Sequence, residues 1–200
     1  MVVYILNPDN IYNKSIELIK EKLCLDESLK SAIIARAIHA TGDLDIGKSI
    51  VFSPNYMDGI PAFIKKTRII TDINMVKSGI TSYRDVRCYI NDPGIILEAK
   101  NKMVSRSYIS MKKACRENYG AIFVIGDAPT ALISLIEEIV CERCMPAMVI
   151  GVPVGFVSAV ESKMNLLKIG VPFITNLGNK GGSGMAAAMV NAIIRGTNVH

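Results

Sequence analysis

The chain has 200 residues, half of them apolar, and a formal net charge of +5. That length suits one compact domain with a real core, read here as a single unit over residues 1–200. No apolar run reaches the roughly 20 residues that cross a bilayer, so a soluble protein without a membrane partner is expected. Scattered basic residues and the lack of Trp argue against nucleic acid, whereas a mild positive excess suits a small polyanion.

The opening run, Met1-Val-Val-Tyr-Ile-Leu6, lacks a basic n-region and passes straight into Asn7-Pro-Asp9. It does not read as a signal peptide, and the expected compartment is the cytoplasm. Two helices are predicted next, one near Lys14 to Leu23 and one from Asp26, taken as its N-cap, to about Ala40 with a stop at Gly42. In the second helix Leu29, Ile33, Ile34, Ala37 and Ile38 form an apolar face. Ile50–Ser53, Arg68–Thr71 and Val86–Ile90 read as strands, and Pro93 to Tyr119 as two helices.

The second half alternates β-branched runs with helical patterns. Ala121–Ile125 precedes Gly126-Asp-Ala-Pro129 and a helix from Thr130 to Val140. Ala147–Ile150 precedes Gly151-Val-Pro-Val-Gly155 and a helix through Ser158–Ser162. Val171–Thr175 precedes the glycine-rich run Gly178–Gly184 and a closing helix of small residues. Three successive βα units imply right-handed crossovers and an α/β fold, a three-layer α/β/α sandwich around a mostly parallel sheet.

In such sheets ligands bind beyond the carboxyl ends of the strands, where all three glycine-bearing loops fall. Glycine lets a ligand approach the backbone, and free N–H groups there bind anions, so these loops are expected to form a rim for acidic groups. The run Gly178–Gly184 matches neither standard phosphate fingerprint, which leaves a nucleotide-binding enzyme poorly supported. As composition alone it fits a ligand cradle or a tight strand-to-helix turn, with Lys180 and Ser183 favouring a carboxylate contact.

His39 is the sole histidine besides the terminal His200. It stands near the end of its helix, three residues from Arg36 and so on the same face, with Ala32 and Ala35 alongside leaving room for a flat ligand. The negative end of the helix favours imidazolium, which would make His39 a proton donor, with Asp43 and Asp45 as possible supports. The competing reading is a histidine that caps its own helix carbonyls.

Five cysteines without regular spacing suit a reducing compartment, not a disulfide framework. Cys141-Glu-Arg-Cys144 lacks the second ligand pair that a structural zinc site needs, so no metal is assigned. A positive mean hydropathy points to apolar surface buried between subunits, hence a homodimer.

The segment Ala37-Ile-His-Ala-Thr-Gly-Asp43 resembles the precorrin-8X and cobalt-precorrin-8 methylmutases. Val51-Phe-Ser53, Thr71–Val76, Gly126–Leu132, Gly151–Val157, Glu161-Ser-Lys163 and Lys180-Gly-Gly-Ser183 resemble that family's further motifs, in order. The resemblance implies a homodimeric α/β isomerase of corrinoid biosynthesis that uses no cofactor and moves a methyl group around ring C of a tetrapyrrole. It implies His39 as the catalytic acid and Ser15, Arg36 and Arg106 as substrate-binding residues, with Thr41, Lys180, Gly181, Gly182 and Ser183 as further contacts. Asp127 and Asn179 depart from the family's usual Asn and Arg. A carrier that binds corrinoids without catalysis is the rival reading, and cysteine usage leans to a cobalt-containing substrate.

Overall fold

Six short strands, all but one parallel, form the centre of the computed structural model, which describes residues 6–197. They are β1 (Ile50–Phe52), β2 (Ile69–Thr71), β3 (Val86–Cys88), β4 (Ile122–Ile125), β5 (Met148–Gly151) and β6 (Phe173–Asn176). The sheet order is β1-β6-β5-β4-β2-β3. Only β1 runs antiparallel, with Val51 opposite Thr175. The leader reading of Met1–Leu6 and the terminal His200 fall, apart from Leu6, outside the described residues.

Alternation along the strands builds two cores. Ile69, Ile122, Val124, Met148, Ile150 and Ile174 face one cluster. Ile70, Phe123, Ile125, Val149 and Phe173 face the other. A sheet buried on both faces needs helices on both, and the expected three layers follow. The first cluster is covered by α2 (Leu29–Thr41), α3 (Leu44–Ser49), α4 (Ile60–Ile64), α5 (Asn74–Gly79) and α10 (Ser183–Gly196). The second is covered by α7 (Arg106–Glu117), α8 (Pro129–Val140) and α9 (Ala159–Leu166), with α6 (Pro93–Lys102) packed beside α7.

Helix α10 buries Met185, Met189, Val190, Ile193 and Ile194. Each such side chain contributes roughly 1.5–3 kcal/mol, which makes α10 and the helix packed on it a rigid frame. That partner is α2, and the two run antiparallel. At one end a Cβ on Gly196 would come within 2.6 Å of Leu29 Cδ1. At the other, Lys180, just before α10, pairs with Asp43, just after α2. The C-terminal turn of α2 therefore lies at the carboxyl edge of the sheet.

Helix α1 (Pro8–Leu23) begins earlier than the predicted Lys14. Asn7 is its N-cap, accepting from Asn10 N at 3.1 Å, and Pro8 takes the first helical position. The cap of α2 is Ser28, not Asp26: Ser28 Oγ accepts from Ser31 N at 3.2 Å. Asp26 braces the cap by accepting from Ser28 N and from the Ser28 and Ser31 hydroxyls. The short helices α3, α4 and α5 carry too few turns to show a helical period, and the sequence reading left them out. Among the described residues no helix is long and apolar enough to cross a membrane.

Candidate active site

Helices α1 and α2 enclose a cleft of about 370 Å³ lined by Ser15, Leu18, Ile19, Lys22, Ile38, His39, Gly42 and Leu44. Its walls are mostly apolar, with a hydroxyl, an imidazole and an ammonium as its polar groups, a composition typical of small-molecule sites. A larger concavity on α1 presents Glu17, Glu21 and Glu27. Those carboxylates disfavour an anionic ligand there.

The end of α2 is capped without help from His39. Thr41 Oγ1 donates to Ala37 O at 2.9 Å and to Ile38 O at 3.2 Å. Gly42, at φ +66°, also donates its N–H to Ile38 O at 2.8 Å. Thr41 and Gly42 thus satisfy Ala37 O and Ile38 O, and among the described residues the His39 side chain makes no hydrogen bond to a helix carbonyl. Thr41 is engaged as the cap, so its hydroxyl serves the helix.

Two expectations about His39 need correction. The flank beside Ala32 and Ala35 is not open: Ala35 is buried, and Tyr12 of α1 meets the His39 ring edge-on, with centroids 5.7 Å apart. The imidazole opens instead towards Ser15 and Lys22. Burial, with the Arg36 charge second, also pushes the His39 pKa below its ordinary 6.5, opposite to the shift expected from the helix end. Neither Asp43 nor Asp45 offsets this, since Asp43 pairs with Lys180 and Asp45 with Lys48.

Arg36 lies over the Tyr12 ring, its Cζ 5.2 Å from the centroid. Arg195, from the last turn of α10, reaches the same ring at 5.6 Å. Sequence reasoning passed over Tyr12 and Arg195, which only the packing of three helices brings together.

The glycine-rich loop stands at the same edge of the sheet. Gly182 N donates to Val152 O at 2.9 Å, and Gly155 N to Asn179 O at 3.1 Å, zipping this loop to the one after β5. At Gly181, φ +156°, a Cβ would lie 2.2 Å from Val152 O, so only glycine fits. Gly182, φ +126°, has open space where its Cβ would be. Ser183 opens α10 and is buried.

Beneath the loop lies Lys163 of α9. Its Nζ donates to Lys180 O at 2.8 Å and to Asn176 Oδ1 at 3.3 Å, and burial pulls its pKa down to about 8.

The third loop of the expected anion rim is closed by the protein itself. Asp72, buried after β2, accepts from the backbone N–H groups of Gly126, Asp127 and Ala128. Those donors are occupied, and only the exposed Asp127 side chain remains at that corner. Asn179 is exposed and contributes its carbonyl to the loop pairing. Arg106 is exposed at the start of α7, on the opposite layer from His39, so one copy of the chain does not bring the two together. Cys144 is buried in contact with Cys115, while Cys141 is exposed.

A family profile described as precorrin-8X methylmutase matches residues 10–196. The chain belongs to the precorrin-8X methylmutase family. Members of this family are isomerases of cobalamin biosynthesis that act by methyl migration. A cobalt-precorrin-8 methylmutase of Priestia megaterium is 42% identical over 94% of this chain and 88% of its own. One from Methanocaldococcus jannaschii is 40% identical over 92% of each chain. The precorrin-8X methylmutase of a Sinorhizobium species is 35% identical over 96% of both. Among solved structures, the precorrin-8X methylmutase of Thermus thermophilus superposes with a TM-score of 0.83 at 29% identity, covering 94% of this chain and 97% of that one.

Proposed function

We propose that this methylmutase-family chain acts on cobalt-precorrin-8, with His39 as proton donor and the α1–α2 cleft and the Lys180–Ser183 loop as the seat of the tetrapyrrole. The observation that carries this is the imidazole itself. Among the described residues it has no hydrogen-bond partner, and it faces a mostly apolar cleft beside Ser15 at the ligand-binding edge of the sheet. The relatives at 42% and 40% identity bear the cobalt-precorrin-8 name, which favours the cobalt form.

Protonating the conjugated ring withdraws electron density and lowers the barrier for the methyl group to leave one ring C carbon for its neighbour. Substrate and product are isomers, so the proton lent must return to His39 and the cycle consumes nothing. One well-placed acid supplies roughly two to four powers of ten in rate. Holding the ring in a reactive shape against apolar walls supplies the remainder.

The homodimer is part of the proposal. Helix α1 has no fully buried residue and leaves Ile11 and Leu18 exposed, while Phe156 and Val157 project from the loop after β5. Exposed large apolar side chains of this kind suit a subunit contact. A second copy would also offer a route for Arg106 to approach a His39 site. A cytoplasmic location is part of the same proposal.

The deciding experiment mixes the protein with excess cobalt-precorrin-8 and follows the visible spectrum. Conversion far beyond one equivalent supports the isomerase. A change that stops at one equivalent identifies a carrier.

A further inference from the structure

Two guanidiniums gather around Tyr12 with no carboxylate paired to either; of the acids that share the neighbouring concavity with Tyr12, Glu17 pairs with Lys14 and Glu27 with Lys20. Arg36 from α2 and Arg195 from α10 both lie against the Tyr12 ring of α1, and His39 meets the same ring. Four other arginines find carboxylates, Arg68 and Arg87 on Asp85 and Arg116 and Arg143 on the buried Glu138, while the exposed Arg84 and Arg106 pair with none among the described residues. Among the described residues Arg36 and Arg195 have no such partner, and the buried Nε of Arg36 has no acceptor at all. Two guanidiniums held at one ring repel each other, and the ring's quadrupole offsets this only in part. An Nε without an acceptor in the same place leaves the Arg36 guanidinium short of a partner that the chain does not provide.

We propose that Arg195 joins Arg36 in binding one side-chain carboxylate of the tetrapyrrole across Tyr12, so that the substrate brings the missing counter-charge to the edge of the His39 site. This rests on the tetrapyrrole reading of the cleft. Guanidinium is the suited group, because its planar fork donates two parallel hydrogen bonds to a carboxylate.

The arrangement resolves a difficulty in the chemistry. The groups facing His39 are Tyr12 and Lys22 from α1 and Arg36 from α2, with Arg195 across Tyr12 from α10. Asp43, after α2, is turned to Lys180. With no free acid in this set, burial and the Arg36 charge hold the His39 pKa below its ordinary value, which disfavours the charged state that a proton donor needs. A carboxylate bound between the arginines reverses the local field and raises the imidazole pKa. Bound substrate then favours the charged acid.

The test follows the His39 imidazole by NMR through a pH titration, with His39→Asn identifying its signal against that of His200. Wild type, Arg195→Gln and Arg195→Lys are each measured free and saturated with cobyrinate as a polycarboxylate of the product type. In wild type, cobyrinate should raise the His39 pKa by at least about one unit, the scale set by one nearby charge. Arg195→Gln should weaken cobyrinate binding about tenfold, shrink that rise and move the alkaline limb of kcat to lower pH; Arg195→Lys should recover part of each. Arg195→Gln matching wild type in binding and pH profile, or a His39 pKa unmoved by cobyrinate, overturns the proposal. Should Arg195→Gln fail to fold, the Lys variant decides, since wild-type behaviour there removes the need for a bidentate clamp. A wild-type protein that converts no cobalt-precorrin-8 defeats the functional reading instead, whatever Arg195 does.

Discussion

Lys180 Nζ and Asp43 Oδ2 meet at 2.5 Å, joining the glycine-rich loop to the end of the helix that carries His39. The contact holds Asp43 below the ordinary carboxylate range, chiefly through the Lys180 hydrogen bond, and raises Lys180. Both groups are solvated, so the pair adds little to global stability. Its effect is to fix the loop relative to the cleft.

Replacing Asp43 by Asn should therefore leave the melting temperature nearly unchanged while KM for the tetrapyrrole rises several-fold, about the cost of one misplaced charge-assisted contact. Steady-state kinetics beside a thermal melt checks this. A fall in melting temperature with an unchanged KM would mean that the pair is structural only.

The two central glycines separate a structural from a ligand-contact role. Gly181→Ala forces a methyl into Val152 O and should destabilise the fold along with the loop. Gly182→Val meets no neighbour but must hold a positive φ, which distorts the turn locally. Its loss of substrate affinity should exceed its loss of stability in denaturant titrations. Equal losses would favour a plain strand-to-helix turn.

The sheet was legible because its strands are buried on both faces and read as unbroken β-branched runs between glycines, as in Ala121–Ile125 and Ala147–Ile150. His39 was legible for its rarity and for the Gly42 stop that marks the helix end. Tyr12 and Arg195 were not, because their meaning comes from the crossing of α1, α2 and α10, which no local pattern encodes. Asp72 was hidden for the same reason: its three backbone partners lie more than fifty residues away. The direction of the His39 pKa shift is not legible in the sequence, because the helix end is a sequence feature, whereas burial and the Arg36 charge are features of packing.

Asp72 supplies a stability prediction. Its carboxylate satisfies three N–H groups at the start of α8, and Asp72→Ala leaves them unpaired beside a small cavity. A loss of about 3 kcal/mol is expected, the scale for buried donors stripped of their acceptor. Chemical denaturation with unchanged m-value would confirm it, and a loss below about 1 kcal/mol would show that water replaces the carboxylate.

Lys163 gives a pH signature. Its folded pKa of about 8 lies below the ordinary 10.5, so between those values the unfolded chain binds more protons than the native one. Stability from this group therefore rises as pH climbs from about 8 to 10.5, and the penalty for charging it is complete below 8. Lys163→Met lacks this term. The stability of wild type relative to Lys163→Met should grow by up to about 3 kcal/mol across that window, at 1.36 kcal/mol per pKa unit. A flat difference would mean that Lys163 stays charged beneath the loop.

His39→Asn tests the chemistry most directly. Asn has similar volume and keeps some hydrogen bonding but cannot titrate near neutral pH. Because Thr41 and Gly42 already cap α2, the variant should fold, assemble and bind the tetrapyrrole as wild type does. The methyl shift should fall at least about a hundredfold, as loss of a general acid requires. In wild type the rate should decline as pH rises through the bound-state pKa of His39, where the proton is lost. In the free protein the same imidazole should titrate below 6.5, the direction that burial and Arg36 impose. An Asn variant that turns over within a few-fold of wild type would remove His39 from the mechanism and leave the barrier to be lowered by the shape of the site alone.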